Sequence, residues 1–373
     1  MAEPFFSGKD RELIHREIEL ILDGSLSMGP NVKGFESEFA DRIGSKYAIA
    51  MNSCTSTLEA ALLAKGAAGR EVIVPAETFI ATGMAVHLVG GTPVFAEISE
   101  ATLCLDLEDV KRRITPKTAG IILVHFAGRI THEVIAFREF CDNNGLFLIE
   151  DAAHAPGARF RDQEAGTFGH VGCFSFYPTK VITSAEGGML TTNDEKVAAF
   201  ARSFQNRGRD MSALDEQYIS VGRNVRMTEM SALLGRVQLS HLDEFLTRRR
   251  EISSIYSSML SDHPLITLLL PNEIQNSSYW KIPLILDAEI DREKVTSLMS
   301  SFGIVVDWTY QPALHLQPVF RELLGTTPGD LPVTERILSR HLCLPCHPRM
   351  TDADTSFVAR TLLKIVDEIS LNS

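Results

Sequence analysis

Residues 146–158, LFLIEDAAHAPGA, and residues 173–180, CFSFYPTK, decide the fold that this sequence predicts. Each stretch begins with a short, mostly apolar run of strand length and continues into charged or hydroxyl side chains. Apolar strands of this kind are typical of parallel sheets that helices cover on both faces. Because α/β proteins bind ligands at the carboxyl ends of such strands, Asp151 and Lys180 are the first candidate functional residues.

Other short apolar segments lie on both sides of these stretches and alternate with segments of helical length. The predicted strands are residues 47–51, 71–74, 92–96, 120–125, 146–150, 173–176 and 188–192. Several of them are separated by predicted helices, which are residues 55–65, 78–88 and 132–143. This alternation predicts an α/β fold whose large domain has a mostly parallel seven-stranded sheet flanked by helices.

The two ends of the chain differ from this central part in their pattern of predicted helices and strands. Apolar positions at helical spacing predict a helix at 9–23 and a second one after Pro30. Beyond residue 200 we expect one long helix at 227–260, a strand at 279–286, a helix at 292–301, a strand at 304–308 and a final helix at 352–371. We therefore expect a large domain over residues 1–240 and a smaller C-terminal α/β domain over residues 241–373.

The composition and charge of the chain argue against several classes of protein. The chain has 373 residues, 45% of them hydrophobic, and a formal net charge of -12. It has no block rich in Lys and Arg, so we do not expect a nucleic-acid partner. No apolar run reaches the roughly 20 residues of a membrane helix, and the first residues do not form a secretion signal. Six scattered cysteines are too few for a disulfide scaffold, and we expect a cytoplasmic protein with reduced thiols.

The two strand-end residues each allow a structural and a functional interpretation. Asp151 could cap the turn that follows it, or it could be the anion that keeps a pyridinium nitrogen protonated. Lys180 could be a solvated surface residue. It follows a very apolar strand, however, and a lysine in such a pocket loses its charge easily, which suits Schiff-base chemistry.

Hydroxyl side chains follow the strand predicted at 47–51, where residues 52–57 read NSCTST at the start of a helix. Hydroxyls and free N–H groups at a helix start favour a phosphate, but an ordinary N-cap fits equally well. Ser175 adds a hydroxyl in the strand before Lys180. Near the C-terminus, Cys343 and Cys346 form a C-x-x-C without a second ligand pair, so we expect buried apolar side chains and no metal.

Taken together, these motifs resemble the DegT/DnrJ/EryC1/StrS sugar aminotransferases, a branch of the fold-type I pyridoxal-phosphate enzymes. The resemblance extends from Gly29-Pro30 to Thr351-Asp352 and implies an aspartate aminotransferase-like fold. It implies that Lys180 carries pyridoxal 5'-phosphate covalently and that Asp151 pairs with the pyridine nitrogen. His154 corresponds to a residue beside the ring oxygen of the cofactor. Phe79 corresponds to the aromatic residue that stacks on the ring, although it could also be plain core.

The resemblance also implies how the phosphate is bound. Thr55, Ser56 and Ser175 correspond to the phosphate-binding hydroxyl and amide groups. Asn224, in VGRNVRMTE, corresponds to an asparagine that reaches the phosphate of the neighbouring subunit, so a homodimer with shared active sites is implied; a simple turn residue is the alternative. His125, in VHFAG, lies at a strand end that faces the same region.

The function that the resemblance implies is amino transfer. The donor would be glutamate or glutamine, and the acceptor a keto sugar, most simply a nucleotide-linked keto-deoxysugar in amino-sugar biosynthesis. An unactivated keto sugar or cyclitol, and a dehydratase that keeps the lysine, remain alternatives from the same fold. A non-catalytic regulatory member of the fold is the alternative from another class.

Overall fold

The computed structural model describes residues 4–271, 275–307 and 309–371. Its α-helices are α1 (Gly8–Leu22), α2 (Pro30–Ile43), α3 (Cys54–Ala64), α4 (Ile80–Leu88), α5 (Leu107–Arg113), α6 (Val134–Asn143), α7 (Glu195–Gln205), α8 (Glu229–Ser240), α9 (Leu242–Leu260), α10 (Arg292–Ser301), α11 (Pro318–Leu324), α12 (Pro332–Leu338) and α13 (Asp352–Ser370). Its strands are β1 (Tyr47–Met51), β2 (Glu71–Pro75), β3 (Thr92–Ala96), β4 (Thr118–Val124), β5 (Phe147–Asp151), β6 (Arg159–Phe160), β7 (Gln163–Glu164), β8 (Val171–Ser175), β9 (Gly188–Thr192), β10 (Ile266–Leu268), β11 (Gln275–Asn276), β12 (Ile282–Leu286) and β13 (His341–Leu344).

The large sheet has seven strands in the order β1-β9-β8-β5-β4-β2-β3. The strands β3, β2, β4, β5 and β8 run parallel, whereas β9 is antiparallel to both β8 and β1. Every residue of β4, β5 and β8 is buried, as expected for strands covered on both faces. The prediction of a mostly parallel seven-stranded sheet flanked by helices is therefore confirmed.

Helix termini follow their local sequence signals. Ser7 and Asp10 form a reciprocal capping box at the start of α1. Pro30 occupies the first turn of α2, and Gly44 ends that helix with a positive φ of 76°. The predicted single helix over 227–260 is wrong, because α8 and α9 are separated at His241. That residue has φ/ψ of -98° and 0°, outside regular helical values.

The C-terminal part forms a second unit around the three-stranded sheet β10-β12-β13. The strand predicted at 279–286 is shorter than expected and begins at Ile282. The strand predicted at 304–308 is absent from residues 304–307, where Asp307 makes one isolated bridge to Cys343. Trp308 lies outside the described residues. Ile304 and Val306 instead pack into the core of the C-terminal unit without forming a strand.

The helix α9 belongs to the cores of both units. Its first residues, Leu242 and Phe245, pack into a cluster on one face of the large sheet. Later residues, Ile252 and Tyr256, pack against β12, β13 and α13. A division of the chain at residue 240 therefore stays a prediction, which the break before α9 supports. In the part of the chain that the structure describes, the helices are too short or too polar to cross a membrane.

Candidate active site

A cavity of about 690 Å³ opens at the carboxyl ends of β4, β5 and β8, against the C-terminal unit. Six of the residues predicted from sequence line it together, namely Thr55, Phe79, Asp151, His154, Ser175 and Lys180. Two others, Ser56 and Asn224, do not line this cavity. The strand-end argument therefore brings most of the candidate residues to one place.

Asp151 is the last residue of β5 and is buried. One carboxylate oxygen accepts a hydrogen bond from the Thr82 hydroxyl at 2.8 Å, and the other accepts from the Ala153 N–H at 3.2 Å. Burial raises the pKa of Asp151, although these hydrogen bonds and the Lys180 charge act against that shift.

Glu150 directly precedes Asp151 in β5, but only Asp151 faces the cavity. Side chains alternate between the faces of a strand, so Glu150 points away from the cavity. It is fully buried and accepts hydrogen bonds from His125 at 2.7 Å, from the Gly166 N–H at 2.8 Å and from the Gly169 N–H at 2.5 Å. His125 is held by this contact and does not line the cavity. The sequence predicted that His125 faces the site, but the structure places it behind the residues that line the cavity.

Lys180 follows β8 and extends into the cavity, where its Nζ lies 4.5 Å from the ring centroid of Trp280. Burial lowers the pKa of this amine to about 8, although the nearby Asp151 carboxylate opposes the shift. A substantial fraction of the amine is therefore neutral near physiological pH. Trp280 also fixes the loop before the lysine, because its Nε1 donates to the Thr179 carbonyl at 2.6 Å.

His154 lies between two aromatic residues of the C-terminal unit. Its ring stacks on Trp280 with centroids 3.8 Å apart, and its Nε2 lies 2.8 Å from the Tyr310 hydroxyl. Burial, together with the positive charges of Lys180 and Lys281, holds the pKa of His154 well below its usual value. The imidazole is therefore neutral.

The start of α3 forms the polar end of the cavity. Ser53 is the N-cap and accepts a hydrogen bond from the Ser56 N–H at 3.2 Å, while the Ser56 hydroxyl donates to Asn52 at 2.8 Å. Thr55 lines the cavity together with Ser53 and Cys54, whereas Ser56 is buried. Gly188 passes directly beneath, where a Cβ would come within 2.5 Å of the Ser53 and Cys54 backbone. The helix start and the sheet can approach this closely only because residue 188 has no side chain.

Phe79 and Asn224 are both exposed, but in different surroundings. Phe79 borders the cavity with 56% of its surface exposed, which rules out the plain-core interpretation. Asn224 is exposed outside the cavity and pairs through its backbone with Asn206. The structure therefore does not bring Asn224 to the cavity of its own chain.

The wall opposite β5 and β8 comes from the C-terminal unit, and sequence reasoning missed its polar residues. Lys281 contacts Asp307 and donates to the Thr309 hydroxyl at 3.0 Å. Thr82, on α4, was also missed, although a hydroxyl in the first turn after a strand end was the available signal. Lys281 and Asp307 had no such signal, because neither follows a strand of the large sheet.

A family model described as the DegT/DnrJ/EryC1/StrS aminotransferase family matches residues 9–363 of this chain. The chain belongs to this family. The predicted enzyme class, a pyridoxal-phosphate-dependent transaminase, is confirmed by this membership.

The chain is also similar to individual members. It is 34% identical to the spore coat polysaccharide biosynthesis protein SpsC of Bacillus subtilis, over 95% of both chains. It is 34% identical to dTDP-4-dehydro-2,3,6-trideoxy-D-glucose 4-aminotransferase of Saccharopolyspora spinosa, over 94% of this chain and 92% of that one. Among solved structures, DesV of S. venezuelae in complex with a ketimine intermediate aligns with a TM-score of 0.90 and 31% identity, over 98% of this chain and 99% of that one.

Proposed function

We propose that this protein moves an amino group from glutamate or glutamine to a keto sugar, with pyridoxal 5'-phosphate as its cofactor. The observation that supports this function is one cavity that holds a lysine of lowered pKa and a buried aspartate. A nucleotide-linked keto-deoxysugar is the proposed acceptor. A relative named for a dTDP-linked dehydro sugar supports the nucleotide link of the acceptor.

The residues present fit the cofactor. Asp151 would pair with the pyridine nitrogen, because a buried carboxylate needs a cationic partner. Phe79 would lie on one face of the ring, and the neutral His154 would lie near its oxygen. Thr55 and Ser175 would bind the phosphate at the start of α3, where N–H groups and the helix dipole favour an anion. When bound, the cofactor supplies an electron sink for the carbanion that proton loss would otherwise leave on carbon.

Lys180 is the proposed acid–base residue. Its amine must be neutral to take a proton from the α-carbon of the amino donor, and burial provides that state near neutral pH. Once protonated, the same amine would deliver that proton to the cofactor carbon that bears the transferred nitrogen, and the second half-reaction would run these two transfers in reverse. Trp280 holds the preceding loop and covers the amine, so Lys180 stays positioned and partly shielded from water.

We also propose that a neighbouring subunit contributes a residue to the active site. Asn224 is exposed and cannot reach the cavity of its own chain, since it does not line it. The nearby segment 211–221 exposes several large apolar side chains, which are Met211, Leu214, Tyr218, Ile219 and Val221. Apolar exposure of this kind is typical of subunit contacts. It supports a homodimer in which Asn224 completes the phosphate site of the partner.

The test separates the two half-reactions. Protein loaded with pyridoxal 5'-phosphate is incubated with L-glutamate or L-glutamine, and the keto acid released is counted per subunit in a single turnover. The aminated protein is then mixed with nucleotide-linked keto sugars, and the sugar product is examined for a new amino group by mass spectrometry. We expect one keto acid per site and an amino sugar. Loaded protein that releases no keto acid from either donor would contradict the proposal.

A further inference from the structure

The wall supplied by the C-terminal unit presents an ion pair to the cavity. Lys281 Nζ contacts an Asp307 carboxylate oxygen and donates to the Thr309 hydroxyl, which in turn donates to the other Asp307 oxygen at 2.9 Å. All three residues line the cavity. The Asp307 side chain is 47% exposed, so the pair can still receive further hydrogen bonds.

This ion pair lies close to Lys180. The Nζ atoms of Lys180 and Lys281 lie 4.5 and 4.4 Å from the centroid of the same Trp280 ring. The two amines are therefore separated by no more than twice that distance, which is within the span of a substituted sugar ring. A substrate carbon held at Lys180 places its neighbouring substituents in reach of Lys281 and Asp307.

The charge of this wall indicates what it can bind. Lys281 and Asp307 together carry no net charge. Behind them, the fully buried Glu77 has neither carboxylate oxygen hydrogen-bonded within the described part of the chain, and burial raises its pKa well above the usual value. His341, whose Nε2 lies 3.7 Å from Glu77, has its pKa lowered by burial to about 4. Both groups are therefore neutral and add no charge to the wall.

A neutral pair with one donor and one acceptor is suited to hydroxyl groups. A carboxylate or phosphate would gain from Lys281 but would be repelled by Asp307 at the same place. A hydroxyl can donate to Asp307 and accept from Lys281, and hydrogen bonds to charged partners are the stronger ones. The Lys281 ammonium and the Asp307 carboxylate would therefore favour sugars that carry a hydroxyl next to the reacting carbon over sugars that lack it.

We propose that Lys281 and Asp307, aligned by Thr309, bind a hydroxyl adjacent to the keto carbon of the acceptor. This inference rests on the proposed function and deepens it. The acceptor is then a keto sugar that keeps a hydroxyl beside the ketone, and its fully deoxygenated counterpart is a poor substrate. Lys281 and Asp307 are specificity-determining residues for the second half-reaction.

The experiment compares Lys281→Met and Asp307→Asn with the wild type and with a control, Lys294→Met, on the exposed side of α10. Single-turnover rates are measured for L-glutamate and for a nucleoside-diphosphate-linked 4-keto-6-deoxyhexose with a hydroxyl at C3. The 3-deoxy analogue of that sugar is measured in parallel. Each variant is loaded with the cofactor first, and its far-UV circular dichroism is compared with the wild type.

We expect both site variants to keep the donor half-reaction within about two-fold of the wild type. Their kcat/KM for the hydroxylated sugar should fall about ten- to a hundred-fold, the range of one hydrogen bond to a charged group. With the 3-deoxy sugar, wild type and variants should be equally slow, and Lys294→Met should match the wild type throughout.

The outcomes separate this inference from the proposed function. Unchanged rates with the hydroxylated sugar in both variants would overturn the role of the pair. Equal losses in both half-reactions would also overturn it, because the pair would then act on the donor or on the fold. If Lys281→Met does not fold, the more conservative Asp307→Asn decides. Wild-type protein that reacts with glutamate but aminates no keto sugar would instead overturn the proposed acceptor class.

Discussion

The two walls of the cavity are built in different ways. The wall of the large sheet takes Asp151 and Ser175 from the ends of adjacent parallel strands and Lys180 from the loop after β8. The opposite wall takes Lys281, Asp307 and Thr309 from loops and strand edges of the C-terminal unit. Asp151 and Ser175 on the first wall are buried, whereas the Asp307 side chain on the second wall is 47% exposed. Chemistry common to a family can therefore stay on one wall while substrate choice changes on the other.

The comparison predicts that changes in the sheet wall affect both half-reactions. The largest effect should come from Lys180→Ala, which removes the amine that we propose carries the cofactor and moves the proton. Transamination should be abolished with either substrate, and the visible absorbance of the lysine-bound cofactor should be lost. Rapid-scan absorbance during loading checks this. If the variant keeps both the absorbance and the turnover, Lys180 neither binds the cofactor covalently nor moves the proton.

Asp151→Asn should come next. It replaces the anion with a neutral group of similar size, so the ring nitrogen would lose its charged partner. Turnover should fall roughly 100- to 1,000-fold, as for other preorganised electrostatic contacts in active sites. The affinity for the cofactor should change much less. Single-turnover rates for both substrates, together with a cofactor titration, measure the two effects. Near-normal turnover would contradict the ring-nitrogen role.

The pH dependence of cofactor loading tests the environment of Lys180. Its pKa is lowered from 10.5 to about 8, so the neutral, reactive amine is the minor form below pH 8 and the major form above it. The loading rate of cofactor-free protein should rise about ten-fold per pH unit below 8 and then level off. A simple alkyl amine reacting with the same aldehyde in solution corrects for titration of the cofactor. A rise that continues to pH 10 would show that the wall does not desolvate the lysine.

The smallest effect should come from Thr82→Val, which keeps the shape but removes the hydroxyl that donates to Asp151. Loss of one hydrogen bond to a charged group should slow both half-reactions roughly ten-fold. Thr78→Val removes the hydroxyl that lies 2.9 Å from the Thr82 Oγ but keeps the hydrogen bond from Thr82 to Asp151, so its effect should be smaller. If only the acceptor half-reaction slows, Thr82 acts on the sugar substrate and not through Asp151.

Much of the large unit could be predicted because its signals are local. Buried strands are short and mostly apolar, so β1, β3 and β9 were predicted with their observed bounds. The polar residues at the carboxyl ends of the parallel strands β5 and β8 then fall at the site edge by topology alone. Local signals were weaker elsewhere: no glycine or proline marks the break at His241, and the apolar residues 304–306 follow Gly303 as those of a strand would, yet form none.

What the sequence by itself determined was the α/β architecture, the family and the pair Asp151 and Lys180, because strand periodicity and strand ends are written in consecutive residues. Only the tertiary structure decided which residues complete the site. The contacts of Trp280 with Thr179 and of Thr82 with Asp151 join residues 101 and 69 positions apart. The first contact depends on how the two units pack and the second on how α4 packs against the sheet, and the burial that shifts the pKa values of Lys180 and Glu77 exists only in the folded chain.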